Sequence, residues 1–139
     1  MEFHEISFDY AFPRKVRGGS SITVLVGRER KIKMIIAHMV PMKGAGVGWI
    51  VDQVARDIKK LGIHGKVIIK SDQENAIMSL LTAVAKSRGA DEKGNDLTVL
   101  EFSKKSDSQS NGLVEQAVQE IENGLRTQLL DKDSKLPER

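Results

Sequence analysis

Three acidic residues are spaced where a strand, a strand end and a helix start would carry them. Asp9 lies in Ile6-Ser7-Phe8-Asp9-Tyr10, Asp72 closes Val67-Ile68-Ile69-Lys70-Ser71-Asp72, and Glu115 opens a long amphipathic stretch. Carboxylates gathered within about 4 to 5 Å repel one another by several kcal/mol in total at an effective dielectric near 20, so such a cluster calls for counter-charge. Mg²⁺ or Mn²⁺ supplies it, because both ions favour oxygen ligands. Two such ions about 3.5 to 4 Å apart activate a water or hydroxyl and stabilise the leaving oxygen of a phosphodiester. The chain has no cysteine, hence no thiol nucleophile, disulfide framework or thiolate zinc site.

Each acid also has a plainer reading. Ser71-Asp72-Gln73-Glu74 matches a Ser-x-x-Glu capping box that would start a helix whatever the chemistry. Glu115 would complement a helix dipole from the first turn. Asp9 is harder to explain away, since Asp is depleted inside strands and a central one needs a partner.

The elements that must position these residues follow from periodicity. Ile6, Phe8 and Tyr10 alternate with Glu5, Ser7 and Asp9, a strand period that Pro13 ends. Ile22 to Val26 and Ile32 to Val40 are β-rich runs joined by Gly27 to Lys31, so the first three strands are expected to form an antiparallel meander. Pro41, Gly44, Gly46 and Gly48 break the pattern. Ile50, Val54, Ile58 and Leu61 then form a helical stripe ending at Gly62. Val67 to Ile69 reads as a central parallel strand covered on both faces. A second helix carries Ile77, Leu80, Leu81 and Val84 to Gly89, and Leu97 to Phe102 make a fifth strand after the Ala90-to-Asn95 turn. The polar stretch 103–110 reads as a solvated loop, Val114, Val118, Ile121, Leu125 and Leu129 as a last helix, and 131–139 as a frayed tail. The expected architecture is α/β: one domain over 1–139, a mixed five-stranded sheet flanked by helices, with the fourth strand parallel to the first.

The order Asp9, Asp72, Glu115, with Ser71-Asp72 closing a strand and Ser110-Asn111-Gly112-Leu113-Val114-Glu115 opening a helix, resembles the catalytic core of retroviral and LTR-retrotransposon integrases in the ribonuclease-H-like superfamily. The likeness runs from about Ile6 to Leu130. It implies a polynucleotidyl transferase in which Asp9, Asp72 and Glu115 bind two Mg²⁺ or Mn²⁺ ions, water cuts near a DNA 3′ end, and the freed hydroxyl attacks target DNA. Lys104 and Lys105, in the loop before Glu115, could grip the phosphates of a DNA end with Asn111. Arg14, Lys15 and Arg17, close after the Asp9 strand, are similarly placed, though the plainer reading of such cations is solvated surface. A homodimer or higher oligomer, in a nucleus or virus-like particle, is implied by the same resemblance. The chain departs from the family in a longer stretch between Asp72 and Glu115, and in Gln73-Glu74 where Asn-Gly is common. With no His/Cys zinc domain or C-terminal basic domain, it reads as an excised core.

Two rival readings stand beside this one: a ribonuclease H-like nuclease, whose first-helix acid would be Asp52 or Asp57, and a non-catalytic module that binds DNA or self-associates. Charge decides little between them. The net +3 and pI near 9.2 lean only weakly towards a polyanion. No apolar run approaches the roughly 20 residues that span a bilayer, and Met1-Glu2-Phe3-His4 is no signal peptide, so an intracellular, non-secreted protein is expected. Trp49 is read as a helix-start core anchor or dimer contact, His38 as a satisfied core histidine and His64 as a turn residue.

Overall fold

The computed structural model describes residues 3–12, 22–104, 116 and 118–120. The element order is β1 (His4–Ala11), β2 (Thr23–Glu29), β3 (Ile35–Val40), α1 (Gly48–Lys60), β4 (Val67–Asp72), α2 (Asn75–Arg88) and β5 (Thr98–Ser103). The sheet runs β3-β2-β1-β4-β5, with β1, β2 and β3 antiparallel and β4 parallel to both β1 and β5. This mixed five-stranded sheet is the one expected from the alternation and crossover pattern.

Period-2 alternation divides β1 between two environments. Ile6, Phe8 and Tyr10 join Ile50, Val54 and Ile58 of α1 and Ile77, Leu80, Leu81 and Val84 of α2 in the main core. Both helices therefore cover the same face. The other face carries a smaller apolar cluster of Ala11, Val24 and Val26, against which Val118 packs, and a charged strip in which Glu5 meets Arg30 at 3.1 Å and Lys70 at 3.4 Å. β4 is central and parallel as expected, but only one of its faces is sealed. Ile68 and Lys70, on the charged side, are half-buried.

The first hairpin lies farther along the chain than 27–31. β2 continues through Gly27, which pairs with Phe8 on one side and Ile36 on the other. A Cβ at Gly27 would stand 2.5 Å from Phe8 Cε1, so this glycine makes room for a core ring and does not form a turn. The chain reverses after Glu29 instead. Its fully buried carboxylate accepts the N–H groups of Lys31 at 2.8 Å and Ile32 at 2.7 Å.

α1 ends as its sequence suggests. Gly62, at φ +87°, donates to Lys59 O and Ile63 donates to Ile58 O, a Schellman closure that needs a residue tolerant of positive φ. Trp49, one position off the buried stripe, is 47% exposed and is not a core anchor.

Candidate metal and phosphodiester site

Asp9 follows Phe8 in β1 and so points, by alternation, to the face away from α1 and α2. The parallel ladder between β1 and β4 runs from His4↔Val67 to Ser7↔Lys70 at constant offset. Two residues farther on, the same offset brings Asp9 level with Asp72 and on the same face. Both sit at the carboxyl ends of their strands, where open α/β sheets bind ligands. The ladder has ended by then, so the two acids are level without being tied by backbone bonds. Asp72 is buried at 9% exposure, and Asp9 is half-buried.

Local hydrogen bonds orient both carboxylates. Tyr10 N–H donates to Asp9 Oδ1 at 2.8 Å, and Glu74 N–H donates to Asp72 Oδ1 at 3.1 Å. The Asp72 carboxylate has no other hydrogen-bond partner among the described residues. The expected capping box does not form. Ser71 is still in β4, its hydroxyl donates to Asp72 O at 2.8 Å, and the N-cap of α2 is Glu74 with no side-chain cap bond. The Asp72 side chain instead turns the chain out of the strand.

A cation that sequence reasoning passed over stands at the same end of the sheet, against the Tyr10 ring on the opposite face. Lys43 Nζ lies 2.8 Å from Glu74 Oε1, 5.4 Å from the centre of the Tyr10 ring and 4.9 Å from that of Phe12. It thus links the residue after Asp9 to the residue two beyond Asp72. Gly44 N–H donates to Tyr10 Oη at 2.8 Å, which fastens the loop after β3 over the end of β1. Burial pushes the Tyr10 phenol up, and Glu74 adds to this against the opposing Gly44 bond and Lys43 charge. A lone lysine among glycines has no period or spacing, so only the break at Pro41, Gly44, Gly46 and Gly48 marked the region.

Lys104 is exposed and follows Ser103, the β5 partner of Asp72, so it stands at the same end of the sheet. Glu115, Arg14, Lys15, Arg17, Lys105 and Asn111 lie outside the described residues, as do 131–139 and most of the expected last helix. Of that helix, Val118 packs on Ala11, Val24 and Val26, and Glu120 meets Arg28 at 3.4 Å. Both contacts are on the face that carries Asp9. Among the described residues no group of three His, Cys, Asp or Glu is placed to hold a metal ion.

The two first-helix acids stand elsewhere. Asp57 is bonded to His38 Nε2 and to Gln53 Nε2, so His38 is satisfied as expected, although it is partly exposed and not a core residue. Asp52 lines a cavity with Arg88 and Leu97, beside the amino-terminal ends of β4 and β5. Both acids stand on α1, which packs on the sheet face opposite Asp9.

No family model matches the chain, and no curated protein is similar to it in sequence. Solved structures do resemble it. A simian T-cell lymphotropic virus intasome, in complex with the PP2A regulatory subunit B56 gamma, has a chain that superposes with TM-score 0.68 at 16% identity, over 97% of this chain and 44% of that one. The catalytic core of HTLV-2 integrase in complex with magnesium, in its dimeric form, gives 0.62 at 18% identity over 96% of this chain and 77% of the other. The catalytic core of BIV integrase gives 0.56 at 17% identity over 99% and 76%. The fold is that of retroviral integrase catalytic cores, a ribonuclease-H-like α/β arrangement. The chain spans less than half the length of the intasome chain.

Proposed function

We propose that this chain is a divalent-metal-dependent polynucleotidyl transferase core that processes DNA 3′ ends and joins them to target DNA. The observation that carries the reading is the level placement of Asp9 and Asp72 on one face, at the carboxyl ends of adjacent parallel strands. Both are oxygen donors already oriented by backbone N–H groups, which suits a hard cation. Glu115 is the third ligand in this proposal. The segment just after it supplies Val118 and Glu120 to the same face. Two Mg²⁺ or Mn²⁺ ions held there would supply charge neutralisation and Lewis acidity.

The chain's own residues have separate duties. Asp9 and Asp72 fix where the scissile phosphate must sit. Lys43 and Lys104, with Lys105, Asn111, Arg14 and Lys15, draw the sugar-phosphate strand across that end of the sheet. In the first step a water oxygen bonds to phosphorus and the 3′ oxygen leaves, taking a proton. In the second, that 3′-hydroxyl oxygen bonds to a target phosphorus and displaces the target strand's own 3′ oxygen, which is protonated in turn. Self-association into a dimer is part of the proposal, by likeness to the dimeric HTLV-2 core.

The test is nicking and strand joining on branched DNA in Mn²⁺, with calorimetry of metal binding. Asp9→Asn, Asp72→Asn and Glu115→Gln should each abolish activity while the fold persists. Activity retained in all three ends the assignment. Intact folding without any Mg²⁺ or Mn²⁺ binding identifies the chain instead as a non-catalytic DNA-binding or self-associating module.

A further inference from the structure

A cavity of about 460 Å³ opens between the end of α1, the end of α2 and the segment before β4, lined by Asp52, Arg56, Lys59, Ile63, His64, Ser87, Arg88 and Leu97 among others. Its size falls within the range of small-molecule sites. Arg88 is half-buried, and among the described residues every hydrogen bond its side chain makes goes to a neutral acceptor: Nη1 to Leu97 O and to Thr98 Oγ1, and Nη2 to Gly65 O, each at 2.8 Å. Burial lowers its pKa with no carboxylate to oppose the effect. A partly desolvated cation held rigidly without a counter-ion leaves its charge to be met from the cavity side.

Two more cations edge the same space. Arg56 and Lys59 stand one helical turn apart on α1. Among the described residues the Arg56 side chain reaches only the neutral Gln53 Oε1, at 3.2 Å, and the Lys59 ammonium has no hydrogen bond or ion pair. Asp52 is the one carboxylate in the lining, so fixed positive charges outnumber it three to one. Ile63 and Leu97 offer an apolar floor, and the Ser87 hydroxyl and Asp52 carboxylate can take hydroxyl groups. Tetrahedral, multiply charged phosphate suits converging guanidinium and ammonium donors better than a single carboxylate does.

We infer that this cavity binds a phosphate-bearing ligand of nucleotide size, its phosphate held by Arg56, Lys59 and Arg88 and its ring laid on Ile63 and Leu97. The site stands apart from Asp9 and Asp72 and requires neither metal nor catalysis there. Arg88 braces the β4 and β5 ends, so the test leaves it intact. In metal-free buffer the full chain is titrated with pyrophosphate, with deoxyadenosine monophosphate and with short single-stranded DNA, followed by calorimetry and amide NMR. Saturable binding is expected, with shifts concentrated at Arg56, Lys59, His64 and Ser87. The double variant Arg56→Ala/Lys59→Ala should weaken it about tenfold or more with an unchanged circular dichroism spectrum, while Asp9→Asn leaves it as it was. Response to the small probes alone assigns a soluble phosphate compound, and response to DNA at the same amides assigns a nucleic-acid strand. Absence of saturable shifts at Arg56, Lys59, His64 and Ser87 with all three probes, or small-probe binding that survives the double substitution, overturns the inference.

Discussion

Lys43 Nζ and Glu74 Oε1 lie 2.8 Å apart, and this single ion pair ties the loop after β3 to the turn that follows Asp72. Both side chains are about one-third exposed, 35% and 34%, so the pair itself contributes only about 0.2 to 1 kcal/mol. Its larger effect is to occupy a cation that a phosphate could use.

Glu74→Gln should therefore tighten DNA binding, and Lys43→Ala should weaken it. The slope of log affinity against log salt should become shallower by about 0.9 for duplex DNA in Lys43→Ala, the mark of one lost phosphate contact. Fluorescence anisotropy across a salt series checks this. Equal affinity and slope in wild type and Lys43→Ala would leave Lys43 a purely structural group.

Tyr10 gives a spectroscopic view of the same corner, because the chain has one tyrosine. Its phenol is pushed above 10.0, first by burial and then by Glu74. The folded chain thus keeps a proton that the unfolded chain gives up at lower pH. The sign follows: Tyr10's contribution to stability is whole below pH 10.0 and is lost as pH rises through the folded value. Phenolate absorbance should show a midpoint above 10.0 in the folded chain that falls back in urea. Glu74→Gln should lower that midpoint, and Lys43→Ala should raise it. One midpoint shared by folded and unfolded chains contradicts the burial of this ring.

Gly27→Ala forces a methyl against the Phe8 ring and should cost about 1 to 3 kcal/mol by overpacking. Phe8→Leu vacates ring volume at that contact, so the double variant should lose less than the sum of the two singles. Urea denaturation of the four proteins measures it. Strict additivity would mean that the ring and the glycine do not compete for the same space.

Glu29→Ala removes the acceptor of two turn N–H groups and empties a fully buried position. A loss of about 1 to 3 kcal/mol is expected, smaller for Glu29→Gln, which keeps one acceptor. Thermal melts give the magnitude, and faster amide exchange at Lys31 and Ile32 locates it. Unchanged exchange there would place the stability effect elsewhere.

Much of the fold was legible because strand alternation and helical stripes each report one buried face. Ile6, Phe8 and Tyr10 marked the inner side of β1, and Ile50, Val54 and Ile58 that of α1. What misled were residues whose local chemistry has two uses. Gly27 reads as a turn and serves as space for a ring. Ser71 and Glu74 have capping-box spacing, yet β4 claims Ser71 for its ladder with Phe102. Ile68 belongs to an apolar run but faces a strip of paired charges. Lys43 and Glu29 act through contacts with distant segments, and single residues of that kind leave no pattern in a sequence. Of the candidate acids, Asp9 and Asp72 are related through β-ladder register, which the β1-to-β4 crossover allowed one to anticipate.

β1 and β4 are hydrogen-bonded to neighbours on both sides, the two innermost positions available to a parallel pair in this sheet. Backbone of that kind surrenders its amide protons to solvent only when the whole molecule opens, whereas the span 41–48 has no ladder to protect it. The acids therefore ride on the most protected backbone of the sheet, while Lys43 hangs from a span held to it through the Gly44–Tyr10 and Lys43–Glu74 contacts.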